Sequence, residues 1–272
     1  MYKGIAKHFE KEYEKMISSV YMIFHKKIYV YCEIEEYCQQ LRNWLSTYEE
    51  LHSNEYDFYI KVYKNKAIWI SNRIVKYIDG KIKHTDLYPL FYNVISNCIL
   101  DNNNILLHSA VLCYNGIGIL IVGDFNSGKT TLCLEAIKNN IEVISADQTH
   151  LQYKKNMLTL YRGSSYMKIQ NNNEKFLNNN VTGIEIRLII NIEGVCEKGM
   201  LCFTKSTNKE HIIKKMFKYC TWHSDIPLFT NNMMLDINRV KVFKWLSRIN
   251  VPFYSVRGDS NSIISKIKEE LK

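Results

Sequence analysis

The sequence predicts an α/β chain: strands and helices built round a glycine loop over residues 101–272, preceded by a small β-rich unit over residues 1–100. Three observations predict it. Gly118-Ile119-Leu120-Ile121-Val122 is a short apolar run of the buried-strand type, and it feeds a loop that opens a helical pattern from Thr131 to Lys138. After residue 140, strand-like runs are interspersed with helical ones. Between residues 20 and 78, runs rich in β-branched and aromatic residues are separated by polar turn signals.

The N-terminal runs come first in the chain. Val20–Phe24 and Lys27–Tyr31 predict a hairpin turned at His25-Lys26, and Glu35–Leu45 predicts a helix. Tyr56–Tyr63, Ala67–Ile70 and Ile74–Ile78 predict further strands, with Asp79-Gly80 as a turn. The many tyrosines of this unit read as strand packing. Leu87–Leu100 has helical spacing, and the polar knot Asp101–Asn104 closes it.

Next, Ile105–Leu112 predicts one strand carrying His108 and Ser109 within an apolar run, and Asn115-Gly116 turns it back into Gly118–Val122. Such a hairpin would bring His108 to the loop; a buried histidine bonded to backbone is the other reading. Gly123-Asp124-Phe125-Asn126-Ser127-Gly128-Lys129-Thr130 reads G-x-x-x-x-G-K-T, the phosphate-loop pattern. The chemistry needs these residue types. Glycines let backbone N–H groups turn towards one anion, and the following helix aims its unpaired N–H donors at it. Lys129 adds a mobile positive charge for the β- and γ-phosphates, and the Thr130 hydroxyl suits a Mg²⁺ shell. Gly123 to Thr130 are therefore the candidate nucleotide-binding residues, and ATP or GTP with Mg²⁺ the implied ligands.

Ile141–Ser145 predicts a strand ending in Ala146-Asp147. A carboxylate at that strand end suits Mg²⁺, directly or through water, or the proton of an attacking hydroxyl; an Asp opening a turn is the plainer reading. Met157–Tyr161, Tyr166–Ile169 and Glu185–Glu193 predict strands, with Gly199–Phe203 pairing back on the last of them. Glu210–Tyr219 and Val240–Ile249 predict helices, Val251–Val256 a strand and Ser262–Leu271 a final helix. Trp222-His223-Ser224-Asp225 reads as loop, because adjacent residues seldom converge on one site.

Composition narrows the class. Hydrophobic residues make up 46% of the 272, enough for a packed core, with no apolar run long enough to span a membrane. The N-terminal residues have no apolar signal segment. The eight cysteines form no C-x-x-C pair, which suits buried thiols in a reducing cytoplasm. The net charge of +9 is spread along the chain and fits a lysine-rich surface; no nucleic-acid motif accompanies it.

Leu107-His108-Ser109-Ala110, Gly116-x-Gly118, the phosphate loop and Val143-Ile144-Ser145-Ala146-Asp147 together resemble the core of HPr kinase/phosphorylase and its relatives. That family shares its fold with phosphoenolpyruvate carboxykinase. The resemblance is nearest to the branch that includes lasso-peptide kinases, which phosphorylate a serine of a precursor peptide, and it covers residues 105 to 150. It implies a P-loop kinase core of the HPr kinase C-terminal, PEP carboxykinase-like type. It implies transfer of the ATP γ-phosphoryl group to a Ser/Thr hydroxyl of a peptide or protein, with a homo-oligomer compatible with it. By that resemblance Gly123 to Thr131 would hold the nucleotide, Lys129 would contact the transferring phosphate, Thr130 and Asp147 would hold the metal, and Asp147 with His108 would serve catalysis. The chain departs from the pattern at Ala146, where the family has the first Asp of a pair. Arg162-Gly163 only faintly echoes the family's peptide-loop signature, so HPr itself is not the implied acceptor. Ala146 keeps one rival open, a non-catalytic NTP-binding module in a biosynthetic or regulatory complex; a kinase of a small hydroxylated molecule such as serine is a second rival. Glu193, closing an apolar strand, leaves a general ATPase as a further rival.

Overall fold

Apolar residues on both faces of Ile117–Gly123 and Ile186–Val195 make these strands central, and the remaining elements cover them. The computed structural model describes residues 17–23, 26–45, 49–51, 55–71, 75–79, 92–93, 95–164, 166–168, 174–177, 181–195, 199–221 and 232–272. The chain divides into two compact units, Met1–Leu90 and Phe91–Lys272.

The first unit is a mixed sheet with one described helix. Its strands are β1 (Ile17–Ile23), β2 (Lys26–Cys32), β3 (Glu49–Leu51), β4 (Phe58–Val62), β5 (Lys66–Ser71) and β6 (Val75–Asp79), in the order β3-β1-β2-β4-β5-β6. Helix α1 (Glu35–Leu45) follows β2, and the chain then returns in β4, parallel to β2. Glu35 and Glu36 in its first turn and Arg42 in its last suit the helix dipole. It buries Cys38, Leu41 and Leu45. The turns expected at His25-Lys26 and Asp79-Gly80 each include a residue outside the described ones, and the helix expected over Leu87–Leu100 includes several; of its described residues, 92, 93 and 95–99 are helical.

The second unit begins with β7 (Asn104–His108), β8 (Ala110–Tyr114), β9 (Ile117–Gly123), α2 (Lys129–Lys138), β10 (Glu142–Ser145), β11 (Gln148–Lys154) and β12 (Met157–Gly163). It continues with β13 (Tyr166–Lys168), β14 (Glu174–Phe176), β15 (Ile186–Val195), β16 (Leu201–Ser206), α3 (Lys209–Thr221), α4 (Asn232–Leu246), β17 (Phe253–Gly258) and α5 (Ser260–Glu270). The main sheet runs β10-β8-β9-β15-β17-β16, with β9, β15 and β17 parallel. A second sheet, β12-β11-β7, is antiparallel. The architecture is mixed α/β.

Alternation along β9 sends Leu120 and Val122 to one face and Ile119 and Ile121 to the other. The first pair packs with Met216 of α3 and Trp245 of α4, the second with Leu132 of α2 and Ile263 of α5. Each such fully buried side chain contributes about 1.5–3 kcal/mol. The two helical layers thus hold β9 rigid, and the loop at its C-terminal end inherits a fixed starting point.

Three sequence expectations need correction. Residues 105–112 are not one strand, because the chain changes sheet at Ser109, leaving β7 in the second sheet and β8 in the main one. Gly199–Phe203 does not pair with Glu185–Glu193; β16 pairs with β17, and β15 lies between β9 and β17. Apolar side chains on both faces of β15 favour neighbours on both edges, whereas the mostly exposed β16 suits an edge. Residues 142–145 form an edge strand antiparallel to β8, so Asp147 stands at a crossing between sheets rather than at the end of a core strand.

Candidate functional site

The G-x-x-x-x-G-K-T segment joins the C-terminal end of β9 to α2. A hydrogen bond from Ser127 N to Asp124 O, at 3.1 Å, closes its first turn. Asn126 and Gly128 have positive φ, 60° and 104°. At Gly128 that conformation favours glycine, and it places the residue as the N-cap of α2 with no side-chain cap. No acidic residue sits in the first turn of α2, so the donors at this helix start lack a carboxylate partner from that turn. A Cβ at Gly123 would collide with Ser127 and come within 2.8 Å of Ile192 O. The loop packs tightly there, and Ser127 Oγ is buried with no hydrogen-bond partner among the described residues. Phe125 is 72% exposed at the tip.

Lys129, only 8% exposed, folds back over the loop. Its Nζ donates to Gly123 O at 2.7 Å and to Asp124 O at 3.0 Å. Burial lowers the pKa of this ammonium, and the negative charges of Asp147 and Asp124 oppose that shift. Thr130, half-buried, and Thr131, exposed, follow in the first turn of α2.

His108 and Asp147 meet on the neighbouring side. His108 ends β7 and Asp147 precedes β11; the two strands pair with Gln148 opposite His108. His108 Nδ1 stands 3.3 Å from Asp147 Oδ1. Burial lowers the His108 pKa, Asp147 raises it and Lys129 lowers it. Lys129, His108 and Asp147 therefore share one electrostatic neighbourhood. Ala146 is buried in the apolar cluster of α2 and α5.

The Asp147 turn is held from beneath. Ser164 Oγ, in a residue 3% exposed, accepts from the backbone N–H groups of Ala146, Asp147 and Gln148 at 3.3, 3.1 and 3.5 Å. Ser145 Oγ donates to Gln148 O at 2.7 Å and accepts from Ser164 N at 3.1 Å. Gly163 makes this possible, because a Cβ there would collide with the Ser145 side chain.

A polar chain borders the loop on its other side. Asp124 pairs with Lys218 of α3, and Tyr219 OH stands 3.3 Å from Asp124 Oδ1 and 3.0 Å from Asn191 Oδ1. Asn191 Nδ2 reaches Glu193 Oε1 at 3.4 Å, and Glu193 pairs with Lys215 at 3.0 Å. Lys218 and, less strongly, Tyr219 lower the Asp124 pKa; Lys215 does the same for Glu193. Sequence reading named Glu193 but not Asn191, Lys218 or Tyr219. The available signal was weak: polar residues interrupting an apolar strand, and two neighbouring residues on a lysine-rich helix. Trp222–Asp225 lies outside the described residues.

No helix among the described residues is long and apolar enough to cross a membrane. No protein-family model matches the chain, and no curated protein matches it in sequence. In structure the chain is similar to the HPr(Ser) kinase/phosphatase from Coxiella burnetii at 14% identity, over 61% of this chain and 95% of that one, with a TM-score of 0.36. A likeness at that score does not assign the chain to a family.

Proposed function

We propose that the chain is an ATP-dependent phosphotransferase acting on a Ser/Thr hydroxyl of a peptide or protein, a natural-product precursor peptide being the class that the resemblance suggests. The observation that carries the reading is the His108–Asp147 pair, 3.3 Å apart, whose charges influence Lys129 of a G-x-x-x-x-G-K-T loop. The donor set fits a triphosphate. An uncapped helix start, the positive-φ Gly128, the unpartnered Ser127 Oγ and the Lys129 ammonium all face the needs of a polyanion. Oxygen ligands for Mg²⁺ would come from Thr130 and Asp147. When bound, the metal neutralises phosphate charge.

The work of the chain's own groups follows. Lys129 would leave the Gly123 and Asp124 carbonyls for the phosphates and balance charge as the γ-phosphoryl group moves. The acceptor oxygen bonds to Pγ, the bond from Pγ to the bridging oxygen breaks, and ADP leaves. Asp147 takes the acceptor proton, and His108, 3.3 Å from its carboxylate, assists.

One observation favours a second reading, a non-catalytic NTP-binding module. Ala146 stands buried where the resemblance has a carboxylate, so Asp147 works without that partner. Incubation with ATP, Mg²⁺ and a Ser/Thr peptide library separates the readings by mass spectrometry. A phosphorylated peptide, absent with Lys129→Ala of unchanged circular dichroism, is the expected result. Nucleotide binding with no ADP release and no modified peptide selects the module, and unchanged turnover in Lys129→Ala overturns the kinase.

A further inference from the structure

Asp124 stands out because it holds two cations at once. Its carbonyl accepts from Lys129 Nζ, and its carboxylate pairs with Lys218 Nζ. The two ammonium groups lie close enough that Lys218 lowers the Lys129 pKa. They come from different elements, α2 and α3, and converge on the first residue after β9.

Lys218 is not an ordinary surface lysine placed there by chance. The next residue, Tyr219, is buried, and its hydroxyl lies between Asn191 Oδ1 and Asp124 Oδ1. Asn191 lies on β15 opposite Val122, one register step before Gly123. The end of α3 is thereby tied to the strand that neighbours the loop, and Lys218 is carried to the loop mouth with it. The pair itself is half-open to solvent, with side-chain exposures of 52% for Lys218 and 59% for Asp124. Such pairs are weak and exchange readily. A phosphate group offers the same ammonium more charge and more acceptor oxygens.

We infer that Lys218 is a second phosphate-binding cation, one that exchanges the Asp124 carboxylate for nucleotide phosphate on binding. The inference rests on the nucleotide reading of the loop and adds a regulatory element to it. Asp124 then has two opposed roles. Its backbone belongs to the phosphate cradle, while its side chain competes with the nucleotide for Lys218.

Calorimetric titration of the full chain with Mg²⁺-ATP tests this, using Asp124→Asn, Lys218→Met and the double variant, each checked by circular dichroism. Removing the competing carboxylate is expected to tighten ATP by about threefold to fivefold, and Lys218→Met to weaken it by a similar factor. The gain from Asp124→Asn is expected to vanish when Lys218 is already Met. If Asp124→Asn weakens binding instead, the carboxylate supports the nucleotide and the exchange is wrong. Normal binding by the parent chain with neither variant shifted also overturns the exchange, while leaving the nucleotide site intact. No binding by the parent chain overturns the nucleotide reading itself.

Discussion

The backbone N–H of Ser109 donates to the carbonyl oxygen of Asp147 at 3.0 Å. This bond ties two crossings together. At Ser109 the chain passes from the second sheet to the main one, and at Ala146-Asp147 it passes back. Both strands of one antiparallel ribbon therefore bend at the same level, and the bend presents His108 and Asp147 side by side.

The first prediction concerns that pair. Asp147→Asn keeps the size of the side chain but removes the charge and the proton acceptor. Turnover is expected to fall by about 10²–10⁴-fold, the usual share of a general base. The His108 pKa is also expected to drop further, since Asp147 is the neighbour that raises it. Steady-state kinetics and imidazole NMR titration measure the two effects. Unchanged turnover would remove Asp147 from the reaction, and an unshifted His108 would show that the 3.3 Å separation has no electrostatic weight.

Ser164 carries the second prediction. Its hydroxyl is the shared acceptor for three consecutive backbone N–H groups around Asp147. Ser164→Ala leaves them without it in a buried site, at a cost of about 1–3 kcal/mol in a urea unfolding curve. Because the turn also aims Asp147, kcat is expected to fall while KM for nucleotide stays. Lost stability with normal kcat would make Ser164 structural only.

Part of this arrangement was legible in the sequence. The strand, loop and helix around Lys129 showed because apolar run, glycines and helical pattern adjoin one another. Asn115-Gly116 showed because a two-residue turn needs positive φ, and the two residues adopt 52° and 78°. The sheet change at Ser109 did not show, since Leu107-His108-Ser109-Ala110 contains no glycine or proline and stays largely extended. Gln148–Lys154 escaped notice as a strand because its buried members include Gln148, Thr149 and His150, polar residues that hide the apolar alternation. The Asp124–Lys218 and Tyr219–Asn191 contacts join residues far apart in sequence, and only the packing of α3 against the main sheet brings them together.

The last prediction is a pH dependence of stability seated in His150. This residue is 1% exposed, on β11, with its ring 4.6 Å from that of Tyr161. Asn104 Nδ2 donates to Asp101, at 2.9 Å to Oδ1. Asn104 Oδ1 is therefore left facing His150 Nε2 at 3.2 Å, which makes Nε2 the proton-bearing nitrogen. Burial, aided by the Arg162 charge, pushes the His150 pKa from 6.5 down to about 3. Between those values the unfolded chain binds a proton that the folded chain refuses. Stability from this group is thus complete above the unfolded pKa and is lost as pH falls towards the folded one, by about 1.4 kcal/mol per pH unit. His108, whose pKa is lowered by burial, adds a contribution of the same sign. Urea unfolding of the parent chain and of His150→Gln, compared between about pH 6.5 and pH 5, isolates the His150 share before most carboxylates titrate. A shallower slope in His150→Gln is expected whatever its absolute stability, because the glutamine amide can donate to Asn104 but cannot titrate. Equal slopes would mean that His150 takes up its proton in the folded chain as readily as in the unfolded one.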